Sequence, residues 1–311
     1  MLAEKFVAAS RYVTLPMLLI VFGVATLLMR GTAFALAFPQ YHLFAVLAAM
    51  LVIERVYPYG RAVCQRHVLW RDLISTSVQA FVAGAVAAAI FLRVLHFATR
   101  SFLGRGLLFE APHPLGPLWV QALAVFLLSS FWGYWMHRFQ HYNEFLWKLH
   151  GYHHSVTHVQ ASNLLVSNPF DWALRSVMAG LLLSVVGFDP VAVVLAGALG
   201  IYANFSHCGA EMKGGWLSYF FNTPEVHRWH HSAQFPDDGK FSYGCNFGVD
   251  TTLWDLVFGT FYLPRDEQGR VMPPPRIGHP SGYADEPNYL KVLLGARAFP
   301  SVARLLSRRS A

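Results

Sequence analysis

Four stretches of this 311-residue chain, Tyr12 to Met29, Gly31 to Ile53, Leu73 to Leu92 and Ala111 to Met136, contain no Lys, Arg, Asp or Glu. Each approaches the roughly 20 apolar residues that cross a bilayer. In hydrocarbon the backbone must satisfy its own hydrogen bonds, so all four are expected to be helices. Composition agrees: 13% of residues are charged, against about 25% in ordinary soluble domains. The first stretch is not read as a cleaved signal, because Arg30 follows it and a second apolar stretch begins at once. An all-α, polytopic membrane bundle is the expected fold, with residues 1–110 as an N-terminal transmembrane region.

The loop from Glu54 to Asp72 carries Arg55, Arg61, Arg66 and Arg71, which assigns it to the cytoplasm by the positive-inside rule. Two further crossings return the chain to the cytoplasmic side at His137. A later apolar stretch, Ser176 to Ser206, is broken at Phe188-Asp189-Pro190. Its pieces are short for full spans and fit a re-entrant hairpin. The segment 265–311 is a Pro-containing basic tail, whose end, with Arg297, Arg304, Arg308 and Arg309 among apolar residues, is expected to lie as an interfacial helix. The net charge of +7 is spread over loops and tail without a nucleic-acid motif. It is read as contact with anionic lipid headgroups, with no nucleic-acid role. Cys64, Cys208 and Cys245 are isolated and imply no disulfide framework or cluster.

Ten of the 15 histidines fall between His137 and His231. Eight of them form three patterns: His137-x3-His141, His150-x2-His153-His154 and His227-x2-His230-His231. At this histidine frequency roughly 0.03 H-x-x-H-H matches are expected by chance, and two are present. On a helix, positions i, i+3 and i+4 share a face, so each pattern is expected to aim its imidazoles at a common point. Neutral imidazole suits iron, zinc, copper or nickel, and eight ligands exceed the needs of one tetrahedral zinc, so two metal ions are the economical reading. Glu144, Asp171, Glu225, Asp250 and Asp255 are candidates to accept the ligands' free ring N–H groups. His42, His67, His96, His113 and His279 are isolated and are read as ordinary structural residues.

The runs Phe131-Trp-Gly-Tyr-Trp-Met-His-Arg-Phe-Gln-His141, Leu146-Trp-Lys-Leu-His-Gly-Tyr-His-His-Ser155 and Asn222-Thr-Pro-Glu-Val-His-Arg-Trp-His-His-Ser232 resemble the three histidine boxes of the fatty acid hydroxylase/sterol desaturase superfamily. The closing segment Asn246 to Pro264 is similar to the stretch after the last box in bacterial members. The resemblance implies a catalytic domain over 111–264, a cytoplasmic cap holding two iron ions, and a bacterial inner-membrane location. It carries His137, His141, His150, His153, His154, His227, His230 and His231 over as ligands, with His207 as a further one. Many members have a His-Pro-hydrophobic-acid motif after the second box. Here it reads Asn168-Pro169-Phe170-Asp171, so Asn168, or His158 in compensation, is a candidate replacement ligand.

The activity implied is O2-dependent oxidation, foremost hydroxylation, of an unactivated carbon in a membrane lipid such as a sterol or acyl chain. Iron fits that task, because attack on C–H needs O2 chemistry that zinc lacks. The chain shows no haem-attachment motif, cysteine cluster or nucleotide-binding glycine motif. An external ferredoxin or cytochrome-type electron donor is therefore expected. A desaturase of the same superfamily, and a non-catalytic metal-binding membrane protein, are the alternatives.

Overall fold

The computed structural model describes residues 10–14, 16–17, 20–21, 34–60, 66–83, 116–175, 188–200, 205–236, 239–279 and 288–301. Most of the first expected span, residues 84–92 of the third, residues 111–115 of the fourth, residues 176–187 of the hairpin and the basic end 302–311 lie outside them. Helices dominate the described residues. The only β pairings among these are isolated bridges, as at Ser232 and Ile277.

The elements that position the centre are α1 (Phe34–Val56), α2 (Arg66–Ser77, continued by a π-helical turn Val78–Ala83), α3 (Leu118–Tyr142) and α4 (Glu144–His150), followed by α5 (Pro190–Gly200), α6 (Pro224–His230), α7 (Leu253–Phe258) and α8 (Tyr289–Leu293). Among the described residues α3 is the one helix long and apolar enough to cross a membrane. Leu118, Trp119, Leu123, Leu128, Phe131, Trp135 and Phe139 are exposed along it. Helix α5, the second half of the expected hairpin, packs along α3. Asp189 starts α5 by accepting a hydrogen bond from the Val191 N–H at 2.7 Å, an N-capping role suited to a short acid.

Helix α3 stops at Asn143, whose extended backbone (ψ 120°) breaks the helical run. Its side chain accepts from the Leu146 N–H at 3.0 Å and so caps α4. One asparagine thus ends one histidine-bearing helix and starts the next.

Two N-terminal elements brace the centre from outside. Helix α1 contributes Val46, Met50 and, just beyond its end, Tyr57 to a core with Phe205, Met212 and Leu217. Its Glu54 accepts from the Ala161 and Gly209 N–H groups, each at 2.6 Å. The uncharged run from Leu73 predicts an apolar span, yet the polar face of α2 is buried against the segment 162–167. Asp72 accepts from the Ser162 hydroxyl at 3.0 Å, Ser75 donates to the Leu165 carbonyl at 3.0 Å, and Gln79 donates to the Ser167 carbonyl at 2.8 Å.

The tail folds back over the same region. Gly278 N–H donates to the His231 carbonyl at 2.7 Å, and Ala233 N–H to the Arg276 carbonyl at 2.8 Å. Arg297 lies over the Tyr152 ring, 4.3 Å from its centroid.

Candidate metal centre

The histidines gather into two buried groups. His137, His141, His150, His154 and His230 form one; His153, His207, His227 and His231 form the other. Within each group the nearest ligand atoms all lie within 4.8 Å of one another. The groups adjoin: His154 and His231 stack with ring centroids 4.4 Å apart.

This arrangement changes the reading of the motifs. Each H-x-x-H-H box divides its members between the groups instead of aiming them at one point. His150 and His154 enter the first group and His153 the second, whereas His227 and His231 enter the second and His230 the first. The physical reason lies in the local backbone. Helix α4 ends at His150 and His153 opens a 3-10 turn, so the second box is not one continuous α-helical face. In the third box, His227 and His231 stand one turn apart, while His230 points across from His231 at an interplanar angle of 88°.

The outward ring nitrogens of all but His154 and His231 are held by the protein. In the first group His141, His230 and His137 direct Nδ1 to the carbonyls of Tyr243, Cys245 and Phe247, at 2.9, 2.7 and 2.8 Å. Three alternate residues of one loop therefore orient three of the imidazoles. His150 Nδ1 meets Asp171 Oδ2 at 3.3 Å. In the second group His153 Nδ1 meets the Val166 carbonyl at 3.1 Å, His207 Nδ1 meets Asn163 Oδ1 at 3.0 Å, and the Asn222 amide lies 3.1 Å from His227 Nδ1. Except at His227, where the Asn222 amide donates to Nδ1, a proton fixed on Nδ1 leaves Nε2 as a bare acceptor, which is how outer contacts set the tautomer of a metal ligand.

These bare atoms face one another. His137 Nε2 is 3.1 Å from His150 Nε2, and His153 Nε2 is 3.3 Å from His207 Nε2 and 3.2 Å from His231 Nε2. Nε2 of His141 and His230 and both ring nitrogens of His154 are buried without a protein hydrogen bond. Burial holds His153, His154, His227 and His231 well below the usual imidazole range, and His207 and His230 at about 3. Protons therefore do not fill the gaps at neutral pH. Converging buried acceptors need a cation between them, and all-imidazole donor sets suit a transition metal. The residues fit two such ions.

The loop 243–248 is itself pinned. Asn246 takes a positive φ of 53°, held by its amide, which donates to the Val226 and Tyr262 carbonyls at 3.0 and 2.8 Å. Buried Asp255 accepts from the Phe247 and Gly248 N–H groups, both at 2.7 Å, and from the Thr260 hydroxyl at 2.7 Å. Burial still pushes its carboxyl up to about 6.

The other candidate acids separate clearly. Asp171 touches His150, Gln140, Ser167 and Arg175. Burial raises its carboxyl, but Arg175 and His150 outweigh that and hold it below the usual carboxylate range. Glu144 is exposed and pairs with Lys148 at 2.7 Å on the surface, so it supports no ligand. Glu225 accepts from the Gly214 N–H at 2.8 Å and pairs with Lys213 at 3.3 Å; it anchors the start of α6 and meets no imidazole. Asp250 reaches no ring nitrogen but lines a cavity beside both groups.

His158 and Asn168 stand outside both groups. His158 is exposed and its ring meets the Thr157 hydroxyl at 3.2 Å. Asn168 is fully buried, but its amide donates to the Val292 and Leu293 carbonyls and its oxygen accepts from the Phe170 N–H. Both ends are occupied by backbone, so Asn168 packs the tail instead of ligating. His279, read as structural, lies beside the first group. Its ring packs on Trp147 with centroids 3.9 Å apart and stands 5.6 Å from His141 and 5.5 Å from His154. Nothing in its sequence surroundings singles it out. Asn163 likewise carries no motif, whereas Asn222 opens the third histidine run.

The cavity, about 300 Å³, reaches both groups. His137, His153, His207 and His227 form part of its wall, and Ser129, Trp132 and Gly133 bring in one face of α3. A larger cleft near Phe235 and Tyr262, about 840 Å³, has no histidine in its lining.

The fatty acid hydroxylase family model matches residues 122–260 of the chain. An ornithine lipid hydroxylase of Rhizobium tropici is 28% identical over 149 residues, 48% of this chain and 44% of that protein. A sphingolipid C4-hydroxylase of Schizosaccharomyces pombe is 29% identical over 156 residues, 49% of this chain and 50% of that protein. A very-long-chain aldehyde decarbonylase of Oryza sativa subsp. indica is 29% identical over 172 residues, 49% of this chain and 61% of that protein. The matched region thus spans about half the length of these relatives. No solved structure matches. Residues 122–260, with the histidine boxes within them, are thus similar to the fatty acid hydroxylase family and to lipid hydroxylases.

Proposed function

We propose that this protein is a membrane-embedded di-iron monooxygenase that hydroxylates a C–H bond of a lipid. The observation that carries the reading is the pair of adjacent histidine groups, with bare Nε2 atoms converging beside a cavity that reaches the membrane-length helix α3. A closed storage site would need no such cavity. The relatives are lipid hydroxylases and an aldehyde decarbonylase, which favours a lipid substrate.

His137, His141, His150, His154 and His230 would hold one iron, and His153, His207, His227 and His231 the other. Bound there, the two ions supply reduction of O2 to an oxidant able to take hydrogen from carbon. In the balanced reaction a substrate C–H, O2, two electrons and two protons give C–OH and water. The electrons come from an external ferredoxin or cytochrome-type donor. The loop carbonyls at 243, 245 and 247 and Asp171 hold the imidazoles in one tautomer. Trp132, Leu164, Leu165 and Trp172 exclude water from the cavity and steer the substrate. The chain would cross the bilayer several times, with the histidine centre on the cytoplasmic face of an inner membrane and lipid entering beside α3.

The test is iron content and 18O2 labelling of lipids by detergent-purified protein from iron-replete cells, with a chemical reductant. About two irons per chain and one 18O atom gained by a lipid are expected. Loss of two hydrogens without 18O would assign a desaturase. Stoichiometric zinc with no O2 consumption after iron reconstitution would overturn the oxygenase reading.

A further inference from the structure

The cavity wall is not the apolar sleeve that a hydrocarbon chain alone would require. Alongside Trp132, Leu164 and Trp172 it presents two charged side chains of opposite sign, Arg175 and Asp250. They come from different parts of the chain, after the second box and after the third, and meet in the same space as the ligands His137 and His207.

Neither side chain is fully occupied. Arg175 places one guanidinium nitrogen 3.2 Å from Asp171, while its Nε is buried without a hydrogen-bond partner. Asp250 is half-buried. The influences on its carboxyl are burial and the charge of Arg175, with no hydrogen bond among them. Helix α5 approaches it at Gly200, where a Cβ would come 3.3 Å from Asp250 Oδ1. The carboxylate is therefore confined on that side and open toward the cavity. Enclosed charged groups that lack full hydrogen bonding are costly unless a ligand completes them. An unpartnered guanidinium N–H suits an anionic oxygen, and a carboxylate suits an ammonium or hydroxyl donor.

We propose that Arg175 and Asp250 form a two-point polar anchor for an amphipathic lipid whose polar end carries both an anionic oxygen and an N–H or O–H donor. The anchor shares a small cavity with ligands of both groups, so it sets the regiochemistry. The carbon oxidised lies in the polar end of the lipid or a few bonds from it, not toward the hydrocarbon terminus. The proposal rests on the lipid oxygenase reading above.

The experiment uses the iron-loaded full chain. Lipids exposed to it under 18O2 are fragmented by tandem mass spectrometry to locate the label. Label confined to fragments that retain the polar end is expected; label on distal acyl fragments overturns the anchor while leaving the oxygenase reading intact. Absence of any iron- and O2-dependent label overturns the oxygenase reading, and the anchor with it. Binding is read separately without turnover, under argon, from the fluorescence of Trp132 and Trp172. The probes are hexadecylphosphoethanolamine, which carries phosphate and a primary ammonium, and hexadecane. Tighter binding of the phosphoethanolamine is expected, weakened at least about tenfold in both Arg175→Met and Asp250→Asn, with hexadecane binding unchanged. Equal loss for both probes would assign the two residues to cavity shape and overturn the anchor. Arg175→Lys, which keeps the charge, should recover part of the phosphoethanolamine preference in protein with unchanged iron content.

Discussion

His230 and His231 are neighbours in the chain, yet their rings stand 88° apart with centroids separated by 5.3 Å and belong to different histidine groups. His153 and His154 repeat the relationship, at 88° and 5.5 Å. Two adjacent residues in each H-x-x-H-H box thus tie the groups to each other, and the spacing between the groups becomes a property of local backbone rather than of long-range packing.

This division makes single substitutions selective. His230→Ala should lower bound iron from about two ions per chain to about one, and His231→Ala should do the same at the other group. Mössbauer spectra of 57Fe-loaded variants should then show two different residual sites, and the double variant should hold close to none. Loss of both ions in each single variant would mean that the groups load as one unit and that the division carries no separate affinity.

The loop carbonyls give a second expectation. Asp255→Ala removes the acceptor of the buried Phe247 and Gly248 N–H groups, costing about 1–3 kcal/mol for each left unsatisfied. It also loosens the Phe247 carbonyl that orients His137. Disturbing such outer contacts weakens metal binding roughly 10–100-fold. Chelator competition should show that weakening at the first group, with the second little changed. Gly248→Ala tests the same point by sterics, because its Cβ would fall 2.1 Å from the Thr251 carbonyl oxygen. Equal weakening of both groups would assign Asp255 to global stability instead.

The sequence marks the histidines that gather but not their partition. Repeated i, i+3, i+4 spacing marks eight histidines, yet which group each joins depends on where α4 ends, and Asn143 and the turn at His153 settle that only in three dimensions. Glu144 and Asp171 are equivalent by composition; one lies on a solvated face of α4 and the other under His150. His279 is invisible to such reasoning because a lone histidine in a Pro-rich tail has no spacing to betray it. The apolar stretches announce helices at Phe34–Val56 and Leu118–Tyr142, whereas the polar face of α2 shows that an uncharged run can still be held by buried serine, threonine and glutamine contacts.

The cavity offers a test by filling. Gly133 lines it on α3, and a Cβ placed there meets nothing within 4 Å. The Cβ of Gly133→Leu should therefore fit without strain, and replacing a helical glycine adds up to about 0.8 kcal/mol of helix propensity. The melting temperature in detergent and the iron content should hold or rise, while kcat/KM falls at least about tenfold as the added side chain occupies substrate space. Unchanged turnover would mean that lipid reaches the histidines by another route.

Asn168 supplies the last expectation, since a histidine there would restore the motif seen in many superfamily members. The surroundings argue against a gain. The Asn168 amide holds the Val292 and Leu293 carbonyls of α8 and its end, its oxygen holds the Phe170 N–H, and Gly295 leaves only 3.1 Å between its own Cβ position and Asn168 Nδ2. An imidazole cannot satisfy three backbone groups at once and is bulkier than the space left by Gly295. Asn168→His should cost about 1–3 kcal/mol, read as a lower melting temperature and easier proteolysis near α8. Iron content should stay at about two and activity should not rise. An increase in bound iron or in turnover would show that the position still faces the metals, and that the tail contacts of Asn168 are secondary.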